Sequence, residues 1–260
     1  MNYEILWCLS SIFFLTIASI QDWKSRLISD KIWLTQLIVS IILYYSWYSS
    51  EAKPQAKLLS IINILMTVIF AFSFFYFGAF GGADSKALIV LMINSPIAYS
   101  FSLIKSNSRI PYPSIMFLLF NMFIFFLLFA FFLMFLNIYQ IRKYGPLFKE
   151  TRGSIPQKLN ALFSCRRIPR QEIASIKFHD PVEILEANYW KLHTPIFEGP
   201  LDDEEFEKRE KEIRETAIIN VDESEKQYLW MRPQPPGLIF ILLAQIMWIF
   251  VGSPLIFIMR

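Results

Sequence analysis

The chain has 260 residues, of which 55% are hydrophobic and 17% aromatic, and its formal net charge is +3. The apolar share exceeds the roughly 45–50% of soluble globular domains, so the composition indicates a membrane protein. The small charge of mixed sign excludes a nucleic-acid surface. Two cysteines, Cys8 and Cys165, are too few for a disulfide framework or a four-thiolate zinc site.

Six apolar runs are long enough to cross a bilayer core, which needs about 20 helical residues. They are residues 5–21, 32–48, 58–77, 87–103, 112–139 and 237–259. The fourth run is short and contains Asn94 and Pro96, which neighbouring helices can accommodate. The first lacks a basic start and a small-residue cleavage site, so it is predicted to be retained. We therefore expect an α-helical polytopic membrane protein with about six transmembrane helices.

A polar segment separates the fifth run from the sixth. Residues 140–235 contain 33 of the 47 charged residues. Residues 202–216 combine an acidic first turn with charge pairs spaced three and four apart, which predicts a helix. Residues 175–178 and 182–185 are at most short strands. The sequence thus predicts a membrane domain at 1–139, a small soluble α+β insert at 140–235 and a last transmembrane helix at 236–260.

Lysine and arginine predict the orientation, because they are enriched in cytoplasmic loops. The loops after the first, third and fifth runs carry most of these residues near the predicted membrane. They are Lys24, Arg26, Lys31, Lys86, Arg142, Lys143, Lys149 and Arg152. We therefore expect the N-terminus outside the cell membrane and residues 140–235 in the cytoplasm.

Two carboxylates lie at predicted helix ends on that cytoplasmic side. Asp22 directly follows the first run, and Asp84 precedes the fourth. Burying charge near a membrane is costly, so such residues are candidates for function. A neighbouring pair of carboxylates can hold one proton between them, so that one acts as general base and the other as general acid. Asp84 as a simple helix cap is the alternative.

Glycines precede Asp84 at positions 78, 81 and 82. They permit positive φ and close backbone approach, so an extended peptide could lie beside the carboxylate. A plain break between two helices explains the same glycines. We expect Gly81, Gly82 and Ala83 to form a hinge or a substrate-binding surface.

The segment Gly81-Gly82-Ala83-Asp84 resembles the GxGD motif of the type IV prepilin peptidase family. Asp22, followed by Lys24, Arg26 and Ile28, is similar to that family's first catalytic aspartate. The resemblance covers roughly residues 5–103. It implies a membrane aspartic endopeptidase that removes the short basic leader of archaeal pilin-like or flagellin-like precursors.

The resemblance also has limits. Ala83 stands where the motif has its second glycine, and Ser29 where relatives often have proline. Bacterial members carry a four-cysteine zinc module and can methylate the new N-terminus. With two cysteines, neither feature is expected here, and neither a metal nor another cofactor is implied.

Other interpretations stay open. Asp22 and Asp84 could instead bind ions in a transporter, although such groups are expected near the bilayer midplane. A cleavage-dead relative, or a protease of the presenilin type, is a further possibility. His179 and His193 are predicted to be surface residues, and the acidic run at 202–207 a solvated helix face. Lys86 is expected to contact lipid.

Overall fold

The computed structural model describes residues 3–50, 52–76, 80–95, 114–149, 151–173, 175–186, 189–192 and 228–252. Most of them are helical. The helices are α1 (Tyr3–Ser25), α2 (Asp30–Ser50), α3 (Pro54–Tyr76), α4 (Gly82–Asn94), α5 (Ser114–Tyr144), α6 (Ile155–Ser164), α7 (Arg170–Ile173) and α8 (Gly237–Phe250). The strands are β1 (Thr151–Arg152), β2 (Arg166–Pro169), β3 (His179–Pro181), β4 (Glu183–Glu186), β5 (Tyr189–Leu192) and β6 (Tyr228–Pro233).

The chain divides into two compact units. The first comprises Met1–Phe126 with Pro236–Arg260, and the second comprises Leu127–Pro235. Helix α5 begins in the first unit and ends in the second. The division into a membrane domain, a cytoplasmic insert and a last helix stays a prediction, as does the side on which the insert lies.

Among the described helices, α1, α3 and α5 are long and apolar enough to cross a membrane. Helix α8 is apolar over its 14 described residues but shorter. The expectation of a mostly helical polytopic membrane protein is therefore met. Six membrane-spanning helices are not shown, and for α2, α4 and α8 a membrane crossing stays a prediction. The predicted fourth run, 87–103, is described only as far as Ser95.

The first unit exposes many apolar side chains and buries several polar side chains within its apolar interior. This pattern suits a lipid environment, where polar groups must find partners within the protein. Exposed apolar residues include Leu9, Phe13, Leu34, Ile38, Leu65, Ile69 and Phe72, whereas buried polar residues include Ser11, Gln36, Ser40, Ser60, Asn63 and Thr67.

Hydrogen bonds between helices link this interior. Asn94, at the end of α4, donates from Nδ2 to the Trp7 carbonyl at 2.9 Å and to Ser11 Oγ at 2.6 Å, both on α1. Asn63 Oδ1 on α3 accepts from the Ile115 N–H of α5 at 3.0 Å. The polar residue that weakened the fourth predicted run therefore joins α4 to α1.

The second unit contains two small three-stranded sheets among its described residues. One has the order β1-β5-β4, with β1 parallel and β4 antiparallel to β5. The other has the order β2-β6-β3 and is antiparallel. A small α+β fold is thus present. Residues 175–178 form no strand, while β4 covers most of the predicted 182–185 segment. The predicted helix at 202–216 lies outside the described residues.

Two buried charged residues organise this second unit. Arg167 donates to the carbonyls of Gly145 at 3.2 Å and Asn137 at 3.4 Å, and its guanidinium lies 5.0 Å from the Tyr228 ring centre. Glu183 accepts from the Thr151 hydroxyl at 2.6 Å and from a backbone N–H of β6 at 2.8 Å. These hydrogen bonds offset the free-energy cost of burying a charged side chain.

Candidate active site

Asp22 lies in the last turn of α1 and is buried, with 7% of its surface exposed. Both carboxylate oxygens have partners. Oδ1 lies 3.5 Å from Arg26 Nη1, and Oδ2 accepts the Leu238 N–H of α8 at 3.3 Å. The carboxylate at the end of the first helix therefore contacts the start of the last one.

Helix α1 ends at Ser25, within one turn of Asp22, and local contacts fix this end of the helix. Arg26 takes the left-handed conformation, with φ of 60°, and its N–H donates to the Asp22 carbonyl at 3.2 Å. This is the usual conformation just beyond a helix C-terminus, although glycine or asparagine normally adopts it. Gln21 Oε1 accepts the Ser29 N–H at 3.3 Å and fixes the following turn. The turn places the Arg26 side chain beside Asp22.

Asp84 lies in the first turn of α4, outside the three helices long enough to span a membrane. Its Oδ2 accepts the Gly81 N–H at 3.2 Å, so Asp84 does take part in capping α4, as its alternative interpretation predicted. Burial first, and then the charge of Asp22, raises the pKa of Asp84 to about 7. The carboxyl group therefore keeps its proton at acidic pH values where an ordinary aspartate is ionised.

The two aspartates meet at the start of α8. Leu238 donates to Asp22, and the neighbouring Gly237 packs directly on Asp84: a Cβ added to Gly237 would lie 2.5 Å from Asp84 Oδ2. Consecutive Cα atoms are about 3.8 Å apart, so both carboxylates lie within one short stretch of backbone. The structure thus brings together the two residues that the sequence selected.

The glycines before Asp84 behave differently from the expectation. Gly81 has an extended conformation, with φ of −70°, and neither Gly81 nor Gly82 has positive φ. A Cβ at Gly81 would lie 3.6 Å from Asp84 Oδ2, and one at Gly82 3.7 Å from a Phe75 ring carbon, which are ordinary contacts. The positive φ that glycine permits is therefore used at neither position, and the hinge or substrate-binding role of this segment stays a prediction. Both glycines are exposed, and Gly78 lies outside the described residues.

Sequence reasoning missed Gly237 and Leu238. The chain shows Pro235-Pro236-Gly237 before an apolar run, a pattern typical of an ordinary helix boundary. Nothing local distinguishes this glycine from other boundary glycines. The sequence contains one weak indication of this role. The last apolar helix starts with glycine, in a chain that has two candidate carboxylates at helix ends.

Lys86 forms an exposed ion pair with Asp30 of α2, with 2.5 Å between Nζ and Oδ1. Its predicted contact with lipid stays a prediction. His179 is partly buried and contacts the Lys177 carbonyl at 2.8 Å, while His193 lies outside the described residues. Cys8 and Cys165 are buried and not disulfide bonded.

The arrangement suits acid–base chemistry. A partnered carboxylate and a carboxyl group that favours its proton provide a base and an acid. Within the ranges that the structure describes, no three His, Cys, Asp or Glu side chains are placed to hold a metal ion.

The model of the type IV leader peptidase family matches residues 9–139, a range that includes both aspartates and extends from within α1 to within α5. No curated protein matches the chain closely enough to be named as a relative.

Proposed function

The chain belongs to the type IV leader peptidase family, and we propose that it is an aspartic endopeptidase with Asp22 and Asp84 as its catalytic pair. Its substrates would be archaeal pilin-like or flagellin-like precursors, from which it removes a short basic leader at the cytoplasmic face of the membrane. The contact of both carboxylates with the first two residues of α8 carries this proposal.

Peptide hydrolysis by this pair needs one proton and one water molecule. The ionised carboxylate takes a proton from water, and the resulting hydroxide oxygen attacks the scissile carbonyl carbon. The other carboxyl group gives its proton to the carbonyl oxygen. The tetrahedral diol then collapses. The group that took its proton from water protonates the amide nitrogen, and the C–N bond breaks. The other group, now a carboxylate, recovers its proton from a diol hydroxyl.

The hydrogen bonds support different roles for the two aspartates. Asp22 has the Arg26 guanidinium on one oxygen and a backbone N–H on the other, and both stabilise negative charge. Asp84 has one backbone N–H, and the charge of Asp22 opposes its ionisation. Asp22 is therefore the general base, and Asp84 carries the proton.

The precursor would approach along the backbone before α4. Gly81 and Gly82 are exposed and Ala83 is half-buried, so the backbone beside Asp84 is accessible to an extended chain. Bulky side chains at these positions would occupy that space. The three residues retain a substrate-binding role in this proposal, although their own conformations do not require glycine.

Asparagine at either catalytic position tests the proposal. Asp22→Asn and Asp84→Asn each remove one partner of the acid–base pair at nearly constant shape, and acid–base groups contribute about 10²–10⁴-fold. Cleavage of a precursor peptide by the purified protein should fall by at least about a hundredfold in each. Asp30→Asn is the matched control, because Asp30 is exposed and bonded to Lys86, and it should cleave normally.

Two results would contradict this assignment. Near-normal cleavage by either catalytic variant, at equal protein levels, would remove that residue from the mechanism. Failure of the wild-type protein to shorten any precursor with a basic leader would contradict the substrate class.

A further inference from the structure

The space that a side chain of Gly237 would occupy is filled by the carboxyl group of Asp84. A Cβ built on it would lie 2.5 Å from Asp84 Oδ2, 2.6 Å from Oδ1 and 2.7 Å from Cγ. Real Cβ atoms essentially never approach heavy atoms within 3.0 Å. The whole carboxyl group of Asp84 therefore packs on the bare Cα of Gly237.

The next residue holds the other aspartate. The Leu238 N–H donates to Asp22 Oδ2 at 3.3 Å, and Leu238 is fully buried. The first residue of α8 packs on the Asp84 carboxyl group while the N–H of the second donates to Asp22. One glycine thus allows two adjacent residues to contact two carboxylates from different helices.

Backbone conformation does not explain the glycine. Gly237 lacks positive φ, so an L-amino acid could adopt its conformation. Glycine also favours helix formation less than alanine does. The residue is locally unfavourable or neutral, and the contact with Asp84 is what requires it.

We propose that Gly237 is a positioning residue for the catalytic pair, because its lack of a side chain lets the start of α8 set the spacing of Asp22 and Asp84. This inference rests on the proposed function of the two aspartates. Gly237 itself takes no part in proton transfer.

Alanine at this position has a calculable effect. The added Cβ must move Asp84, or the start of α8, by at least about 0.5 Å to reach the shortest distance that real Cβ atoms show. Misplacement of catalytic groups by about 1 Å can cost about a hundredfold in rate. We expect Gly237→Ala to lower kcat about 10- to 100-fold and to leave KM within about twofold.

Kinetics and melting temperatures together test the inference. Precursor cleavage by Gly237→Ala is compared with Leu243→Ala, a change at an exposed position on the same helix that should keep wild-type kcat and KM. Melting temperatures in detergent are then measured for Gly237→Ala in the wild-type and in the Asp84→Ala background. Alanine should lower the melting temperature only where Asp84 retains its carboxyl group.

Each outcome decides the question. Wild-type kcat for Gly237→Ala, or an equal loss of melting temperature in both backgrounds, would overturn the inference. If Gly237→Ala alone fails to accumulate, the double variant with Asp84→Ala should accumulate, and its equal failure would also overturn it. Active Asp22→Asn and Asp84→Asn variants would instead contradict the proposed function.

Discussion

Replacing Arg26 with glycine should separate activity from stability. Arg26 is the first residue after α1 and has φ of 60°, a conformation that costs a non-glycine residue about 1–2 kcal/mol. Glycine adopts it freely and is the residue preferred at this position of a helix end. Arg26→Gly therefore removes the guanidinium beside Asp22 while it relieves backbone strain, so the fold should be retained.

The loss of activity follows from the ion pair. Arg26 Nη1 lies 3.5 Å from Asp22 Oδ1, and the two side chains are 18% and 9% exposed. Opposite charges about 4 Å apart attract by about 1 kcal/mol in water and about 4 kcal/mol near a protein surface. Because Arg26 is partly solvated, we expect a loss of about 1–3 kcal/mol of charge stabilisation at Asp22. Turnover should fall about 5- to 150-fold, at roughly 1.4 kcal/mol per tenfold change.

The assay compares initial rates of precursor cleavage for Arg26→Gly and Arg26→Lys at equal concentrations, with melting temperatures measured in the same detergent. Lysine keeps the charge and should retain most activity. Glycine should lose activity with a melting temperature near that of the wild type, because the relief of backbone strain offsets the lost ion pair. Wild-type turnover of Arg26→Gly would refute the role of this ion pair. An equal loss in both variants would show that geometry, and not charge, is what Asp22 requires.

Two further predictions concern pH and the second unit. Cleavage should decline as pH rises through about 7, because Asp84 acts as the acid only while protonated and its raised pKa lies there; a pH–rate profile that stays flat to pH 9 would contradict this. Thr151→Val should lower the free energy of unfolding by about 1.5–3 kcal/mol, because it removes the hydroxyl that donates to buried Glu183. Thr151→Ser keeps the hydroxyl and should lower the same free energy by only about 1 kcal/mol. Denaturant titration of both variants measures the difference.

The sequence alone selects Asp22 and Asp84 as candidates. Both lie beside the ends of apolar runs, where a charged side chain is costly to bury, and alternation of helix direction predicts that they lie at the same end. The contacts of both residues with α8 agree with that prediction. Composition likewise indicated the polytopic helical part and the small α+β insert.

The third component of the site could not be found in this way. Gly237 is 153 positions beyond Asp84, and its role depends on a steric contact that leaves no pattern in the chain. Gly81 and Gly82 are adjacent to the motif and attracted the steric argument instead, yet each has room for a Cβ. Sequence proximity identifies reactive groups, but packing between distant helices decides which glycine is required.

The division of roles within the pair follows from opposing electrostatic effects. Helix ends alone would favour the reverse assignment, because Asp84 lies at a helix N-terminus, which stabilises negative charge, and Asp22 at a C-terminus, which opposes it. Each of these effects is worth about 0.3–1 kcal/mol. The Arg26 ion pair, at about 1–3 kcal/mol, exceeds either effect, and the Leu238 N–H adds to it. In the proposed mechanism, Arg26 and the start of α8 therefore favour Asp22 as the base, although neither takes part in proton transfer.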